Sequence, residues 1–195
     1  MISCLDMEGV LVPEIWIQVA KKTRIKELRL TTRDVPDYDA LMKRRLQILR
    51  GAKVSLTAIQ KVIGSMLPLP GAHRFLDSLR LKTQVIILSD TFYEFAMPLM
   101  RKLGSPALFC NWLSTDSKGF IKAYHLRQPD GKTQAVKALQ KIGFKVNAAG
   151  DSYNDIGMLK AADRGVLFNP PSNVVKKFPR FKVTRDYPAL LKALL

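Results

Sequence analysis

The stretch CLDMEGVLVPE, residues 4–14, ends an apolar run with two acids one residue apart and then a glycine. The apolar residues predict a short buried strand over residues 1–6 that ends at these acids. Side chains two positions apart in a strand point to the same face, so the carboxylates of Asp6 and Glu8 would repel each other. Such a pair costs stability unless a cation or a catalytic step uses it. Two acids alone could also be a solvated strand end or cap a helix.

The spacing of apolar residues along the rest of the chain changes twice. Between residues 14 and 67 apolar residues recur at intervals of three and four, which predicts helices, with Gly51 as a helix stop. LPLPG, residues 67–71, interrupts this pattern with two prolines and a glycine. Helices are then predicted over 71–81, 92–103, 132–142 and 153–162, with two short ones at the end, strands over 84–89, 107–111, 145–150 and 165–169, and a short hairpin around 118–119.

Short apolar strands separated by helices of about ten residues are typical of a parallel sheet with helices on both faces. The predicted fold class is therefore α/β, with a doubly wound, mostly parallel sheet. The early helical segment would be a small cap inserted after the first strand. We expect a core of residues 1–13 and 68–195 and a cap of residues 14–67.

Length and composition are those of an ordinary globular protein, with 195 residues, 47% of them hydrophobic and 25% charged. No apolar run approaches the ~18–20 residues of a membrane-spanning helix, and the N-terminus lacks a secretory signal pattern. We therefore expect no membrane partner. Cys4 and Cys110 have no metal-type spacing, which favours reduced thiols and a cytoplasmic location.

The net charge of +16 is the unusual bulk property. It could indicate binding to nucleic acid or a membrane surface, or simply a basic surface that attracts anionic substrates. No recognisable nucleic-acid-binding module accompanies the charge, so a nucleic-acid partner is not our main expectation. The basic residues are spread over Arg24 to Arg33, Lys43 to Arg45, Arg101 to Lys102 and Lys176 to Lys182.

Polar side chains follow three of the predicted strands, namely Asp6 and Glu8, then SDT at 89–91, then DSYND at 151–155. Open α/β sheets bind ligands at the carboxyl ends of their strands, so these groups should meet at one edge. Several acids at one edge repel one another unless a divalent cation lies between them, and hard oxygen ligands suit Mg²⁺. Asp6 and Asp151 are the natural ligands, with the backbone carbonyl of Glu8 in reach.

A phosphate placed near these acids would also need positive charge. Lys132 begins a predicted helix and can reach the same edge as a point charge. The Ser89 hydroxyl and the backbone N–H groups at 90–91 and 7–8 could hold phosphoryl oxygens. Ser89 could equally be an ordinary turn residue.

The pattern DxEG at 6–9, SDT at 89–91, Lys132 and GDSYND at 150–155 resembles the haloacid-dehalogenase (HAD) superfamily of phosphatases and phosphotransferases. The resemblance covers essentially the whole chain in the right order. The helical insertion resembles the small cap of phosphoserine phosphatases. The stretches CLDMEGVLVPEIW, TTRDVPDYDALMKRR, ILSDTFYEF and AAGDSYNDIGML are similar to the branch of bifunctional phosphoserine phosphatase/homoserine phosphotransferases.

The resemblance implies a role for each acid. Asp6 would attack phosphorus and become an aspartyl phosphate. Glu8 would protonate the departing serine oxygen and then deprotonate the hydrolytic water. Mg²⁺, held by Asp6, the Glu8 carbonyl and Asp151, would offset charge on the transferring group.

The resemblance also implies the groups that hold the substrate. Ser89 and Lys132 would bind phosphoryl oxygens, and Asp155 would orient Lys132 or a metal-bound water. Asp90 and Asn154 would add polar contacts to the substrate.

Two further residues would recognise the amino-acid part, Glu14 through the ammonium and Arg45 through the carboxylate. Arg45 lies in a basic helical run of the kind that is often a solvated face. The chain departs from the superfamily pattern at Glu8, where Asp is usual, and at Val10, where Thr is usual. The similar branch also carries the Glu.

The sequence therefore predicts a Mg²⁺-dependent phosphomonoesterase that hydrolyses phosphoserine and could transfer the phosphoryl group to homoserine. The alternatives are a HAD phosphatase of another small metabolite, or a non-catalytic basic protein that binds nucleic acid. The sequence leaves open the choice between hydrolysis and transfer, a possible homodimer, and the role of the net charge.

Overall fold

The computed structural model describes residues 1–31, 34–35 and 37–195. Three positions of TTRDVPDYDALMKRR, residues 31–45, lie outside the described residues. One of them is Arg33, which belongs to the first basic stretch. The described strands form one sheet in the order β4-β3-β2-β1-β5-β6-β7, in which only the β3–β4 pair is antiparallel. The strands are β1 Ile2–Leu5, β2 Gln84–Phe92, β3 Ala107–Thr115, β4 Ile121–His125, β5 Val146–Gly150, β6 Arg164–Phe168 and β7 Lys182–Thr184.

Helices cover both faces of this sheet. Alternate strand residues feed two separate apolar clusters, as with Cys4 on one side of β1 and Leu5 on the other. α4, α5 and α9 pack in the cluster with Leu5, and α6, α7 and α8 pack in the cluster with Cys4. The helices are α1 Ile15–Thr23, α2 Tyr38–Gly51, α3 Leu56–Gly64, α4 Ala72–Arg80, α5 Tyr93–Lys102, α6 Gly131–Lys141, α7 Ile156–Ala161, α8 Ser172–Lys177 and α9 Tyr187–Leu194, with 3-10 turns at Lys26–Arg29 and Tyr153–Asp155.

This architecture confirms the predicted doubly wound, mostly parallel α/β sheet. Three details were predicted wrongly. β2 runs to Phe92, beyond its predicted end, because its pairing with β3 resumes after an irregularity, and β3 runs to Thr115 because residues 112–115 pair with β4. The helix predicted over 153–162 begins as a 3-10 turn, and the edge strand β7 was missed because three residues give too short a pattern.

The segment between β1 and α4 contains α1, the 3-10 turn at Lys26–Arg29, α2 and α3, and it contacts the sheet edge at several points. The Leu69 N–H donates to the Leu11 carbonyl at 2.9 Å, which brings the two ends of the segment together. The Leu56 N–H donates to the Gly119 carbonyl at 3.0 Å in the β3–β4 hairpin. The boundaries 14–67 for a cap remain our prediction. Within the described part of the chain, no helix has the length and apolarity to cross a membrane.

Candidate active site

The carboxyl end of β1 presents Asp6. β1 ends at Leu5, one residue earlier than predicted, and the Asp6 N–H donates to the Ala149 carbonyl at 2.9 Å. Glu8 therefore lies in the turn beyond the strand and does not share a strand face with Asp6, contrary to the period-two argument. Its Oε2 accepts from the Ile15 N–H at 2.7 Å, the first residue of α1. Glu8 thus caps the N-terminus of α1, and its carboxylate also lines the cleft.

Lys132 joins the elements of the site. It lies in the first turn of α6 and is 4% exposed. Its Nζ donates at 2.7 Å to Asp6 Oδ1 and at 2.7 Å to Asp155 Oδ1, and it lies 3.4 Å from Asp90 Oδ2. A buried ammonium is stable only when it is paired in this way. The predicted convergence of Asp6, Lys132 and Asp155 on one edge is therefore what the fold produces.

Asp155 holds the loop after β5 in place. It is fully buried, and its Oδ2 accepts from the Asp151 and Ser152 N–H groups at 2.9 and 3.1 Å. Ser152 and Asp155 form a reciprocal capping box at the following 3-10 turn. Since Lys132 occupies Oδ1, both oxygens of Asp155 are engaged. These contacts are compatible with the predicted role of orienting Lys132, which stays a prediction.

Asp151 lies directly against the turn that follows β1. Gly9 has φ +80°, and a Cβ there would lie 2.5 Å from the Asp151 carboxyl carbon. Glycine is needed at this position for both reasons. Asp6, Asp151 and Asp155 each offer a carboxylate oxygen, and these atoms lie within 4.8 Å of one another. Such a set of hard oxygen donors fits Mg²⁺.

The crowded acids raise one another's proton affinity. Burial raises the pKa of Asp6 well above its usual value, and the charges of Asp155 and Asp151 add to this while Lys132 opposes it. Burial, followed by the charge of Asp155, raises the pKa of Asp151 to about 7. Burial, followed by the charge of Glu14, raises the pKa of Glu8 to about 7 against the Ile15 hydrogen bond. A carboxyl group with that pKa can both give and take a proton near neutral pH.

Ser89, Asp90 and Thr91 form an irregularity in β2. Between Leu88, which pairs with Phe109, and Phe92, which pairs with Asn111, three residues of β2 face one of β3. Bulges of this kind re-aim side chains beside functional sites. The Ser89 hydroxyl accepts from the Thr91 N–H at 3.2 Å, so its turn role is also present.

Asp90 is held from two sides at the mouth of the cleft. Its backbone carbonyl accepts from Asn111 Nδ2 at 3.1 Å, and its Oδ2 accepts from Asn154 Nδ2 at 3.0 Å. Asp90 and Asn154, both predicted to contact substrate, are therefore hydrogen-bonded to each other at the cleft edge. Their contact with substrate stays a prediction.

Arg45 does not lie on a solvated face, since it is 6% exposed in the cleft. Its guanidinium carbon lies 4.3 Å from the centroid of the Trp16 ring, and Nη2 donates to the Leu30 carbonyl at 2.7 Å. Its Nε is buried without a hydrogen-bond partner among the described residues. Burial lowers the pKa of Arg45 to about 10. Glu14, exposed at the start of α1, lines the same cleft.

A cleft of about 740 Å³ is lined by all the predicted site residues except the buried Asp155. Sequence reasoning missed Tyr38, Phe109, Asn111 and Arg127, which also line it. Asn111 had a usable signal, because it ends a predicted strand of a sheet whose other strand ends were searched. Tyr38 and Arg127 carried no distinguishing pattern.

Comparisons with known proteins agree with this geometry. A family model described as haloacid dehalogenase-like hydrolase matches residues 4–163. Phosphoserine phosphatase of Pseudomonas syringae pv. tomato is 53% identical over 194 residues, which cover 100% of this chain and 82% of that protein. Phosphoserine phosphatase ThrH of Pseudomonas aeruginosa is also 53% identical over 194 residues, covering 100% of this chain and 95% of that protein.

Solved structures show the same fold at lower identity. The crystal structure of a phosphoserine phosphatase in apo form superposes with a TM-score of 0.81 at 20% identity, covering 100% of this chain and 98% of the other. A substrate-bound phosphoserine phosphatase complex gives a TM-score of 0.78 at 18% identity, with coverage of 100% and 98%. The family model and the two relatives at 53% identity confirm the resemblance seen in the motifs, and the chain belongs to the haloacid dehalogenase-like hydrolase family.

Proposed function

We propose that this protein is a Mg²⁺-dependent phosphoserine phosphatase that works through an aspartyl phosphate on Asp6. The observation that carries the proposal is the buried Lys132 ammonium shared between Asp6 and Asp155 beside Asp151. This arrangement fixes one oxygen of Asp6 and leaves the other without a hydrogen bond from the described residues. The names of the two relatives at 53% identity support phosphoserine as the substrate.

In the first step Asp6 Oδ2 attacks phosphorus. A P–O bond to Asp6 forms, the P–O bond to the serine oxygen breaks, and that oxygen takes the proton of Glu8. In the second step water attacks phosphorus, the P–O bond to Asp6 breaks, and Glu8 takes a proton from the water. The products are serine and inorganic phosphate, and Asp6 and Glu8 return to their starting states.

Lys132 keeps the attacking group in position while its charge stabilises the phosphoryl oxygens. Ser89, at the irregularity of β2, would donate its hydroxyl to the same oxygens. Asp6, Asp151 and the Glu8 carbonyl would hold Mg²⁺, with Asp155 supporting. When bound, the ion supplies positive charge against the oxygens of the transferring group.

Glu14 and Arg45 line the cap side of the cleft and carry the two charges that complement an amino acid. We assign Glu14 to the substrate ammonium and Arg45 to its carboxylate. Homoserine in place of water would receive the phosphoryl group by the same chemistry without a new catalytic residue. We further propose a cytoplasmic location, since both cysteines are free thiols. We place catalysis ahead of the nucleic-acid alternative because the chain belongs to a family of hydrolases.

A panel of phosphorylated metabolites tests the proposal directly. With Mg²⁺ present we expect phosphoserine to give the highest kcat/KM, and EDTA to remove nearly all activity until excess Mg²⁺ restores it. Homoserine should yield phosphohomoserine at the expense of free phosphate if transfer occurs. Preference for an unrelated phosphate ester, or activity that survives EDTA, would contradict the proposal.

Arg45 offers a separate test of specificity. Arg45→Ala should raise KM for phosphoserine by about tenfold or more, because a charge-assisted contact is lost, while KM for p-nitrophenyl phosphate should change little. The latter ester lacks the carboxylate. Steady-state kinetics on both esters gives the comparison, and Arg44→Ala, an exposed neighbour, is the matched control. Equal effects on both substrates would end the assignment of Arg45 to the carboxylate.

A further inference from the structure

The catalytic cleft does not account for the basic charge of the protein. Six of the 16 acidic residues line it, against three of the 32 basic ones, all within the described residues. The net charge of +16 therefore belongs to other surfaces. The segment KKFPRFK, residues 176–182, concentrates four cations and two aromatic rings without an acid.

This segment contributes to a second cavity of about 430 Å³, distinct from the cleft. The cavity is formed by the end of α7 and by the connection between α8 and β7. None of the residues that line it is acidic. They are Lys160, Lys177, Phe178, Pro179, Arg180 and Phe181.

Among the described residues, no acidic side chain lies within salt-bridge distance of the cations of this cavity. In the described part of the chain, neither Lys160, Lys177 nor Arg180 forms an ion pair. The Nζ atoms of Lys160 and Lys177 lie 5.5 and 6.0 Å from the centroid of the same ring, that of Phe178. Both ammonium groups therefore lie near the same neutral ring, and a bound anion would compensate their two charges.

Aromatic rings make up the other half of the cavity. Phe178 lies 6.0 Å from Tyr153 and 6.4 Å from Phe181, measured between ring centroids, and both Phe side chains are half-buried. Exposed ring surface among cations recognises an anion that carries its own flat ring, through stacking on one side and charge on the other. A volume of this size suits a small molecule.

We propose that this cavity binds a free nucleotide, with its phosphates on Lys160, Lys177 and Arg180 and its base against Phe178. The cavity adjoins the loop after β5 that carries Asp151 and Asp155. Tyr153 of that loop contacts the Phe178 ring, and its hydroxyl donates to the Asn173 carbonyl of α8 at 3.3 Å. Nucleotide units also occur in single-stranded nucleic acid, so the test separates the two sources. Binding here does not depend on the proposed catalytic function.

The test is calorimetric titration of the full-length protein with adenosine 5′-diphosphate in EDTA. We expect saturable binding, at least about tenfold tighter than that of ribose 5-diphosphate, which lacks only the base. The double variant Lys160→Ala, Lys177→Ala should weaken it by about tenfold or more, since both charges are lost. The matched control Lys61→Ala, Lys137→Ala removes the same charge from exposed positions on α3 and α6 and should change it by less than about twofold.

Phe178→Leu keeps apolar packing and removes the ring, so it should bring the affinity for adenosine 5′-diphosphate down to that of ribose 5-diphosphate. If both double variants weaken the affinity equally, the binding depends on the overall charge of the surface. If neither double variant weakens the affinity, the nucleotide binds in the catalytic cleft. Each result overturns the proposal, as does the absence of saturation. Tighter, salt-steep binding of a ten-residue oligothymidylate would assign the surface to nucleic acid and overturn the free-nucleotide assignment.

Discussion

Replacing Asp6 by asparagine is expected to lower kcat for phosphoserine by on the order of 10⁴-fold or more, as removal of a nucleophile does in enzymes with covalent intermediates. The amide has the shape of the carboxylate, but its neutral oxygen is a poor nucleophile towards phosphorus. Steady-state phosphate release measures the loss. Acid quenching of the wild type during turnover of ³²P-labelled phosphoserine should leave label on the protein, and the variant should carry none.

The stability of this variant separates chemistry from misfolding. Because burial and two neighbouring acids raise the pKa of Asp6, the neutral side chain should be tolerated, and its melting temperature should equal or exceed that of the wild type. Asp130→Asn is the matched control. Asp130 lines the same cleft at φ +50°, which asparagine accepts, and its contact with the Thr133 hydroxyl survives the change. Near-normal turnover by Asp6→Asn would refute the covalent mechanism.

The sequence determined the layout of the fold because apolar periodicity reports which faces are buried. β1, β2, β5 and β6 were predicted within a few residues, since each is a short apolar run between breakers. The periodicity stops at the strand ends, where polar residues serve the site. This is why the prediction ended β2 at Ser89, although pairing resumes at Phe92 after the irregularity.

The candidate site was predictable as a set of residues but not as a set of contacts. Asp6, Lys132 and Asp155 are 126 and 23 residues apart along the chain, and only the parallel topology brings them within hydrogen-bond distance. The hydrogen bond from Ile15 to Glu8 and the stacking of Arg45 on Trp16 depend on helix orientations that no spacing rule specifies. Tyr38 reaches the cleft for the same reason.

The second large effect is expected at Lys132, as a loss of stability. Lys132→Met keeps most of the volume and removes the ammonium that two carboxylates contact at 2.7 Å and a third approaches at 3.4 Å. Breaking a buried ion pair by removing one partner costs about 3–5 kcal/mol. For a chain of this size that corresponds to a melting temperature lower by roughly 10 °C, measured by calorimetry in EDTA. Lys137→Met, an exposed change on the same helix, should shift it by only about a degree.

The double variant Asp6→Asn, Lys132→Met distinguishes charge from packing. If the cost at Lys132 comes from uncompensated carboxylates, then neutralising Asp6 should recover a substantial part of it, with a coupling energy of about 0.5–3 kcal/mol. If the cost comes instead from a packing defect, Lys132→Met should destabilise the Asp6→Asn variant as much as it destabilises the wild type. Full additivity of the two substitutions would therefore contradict the view that one buried ammonium holds the acids of β1 and the loop after β5 together. In the proposed mechanism that shared charge places the Asp6 carboxylate for its attack, so the stability cycle and the kinetic loss at Asp6 should report the same contact.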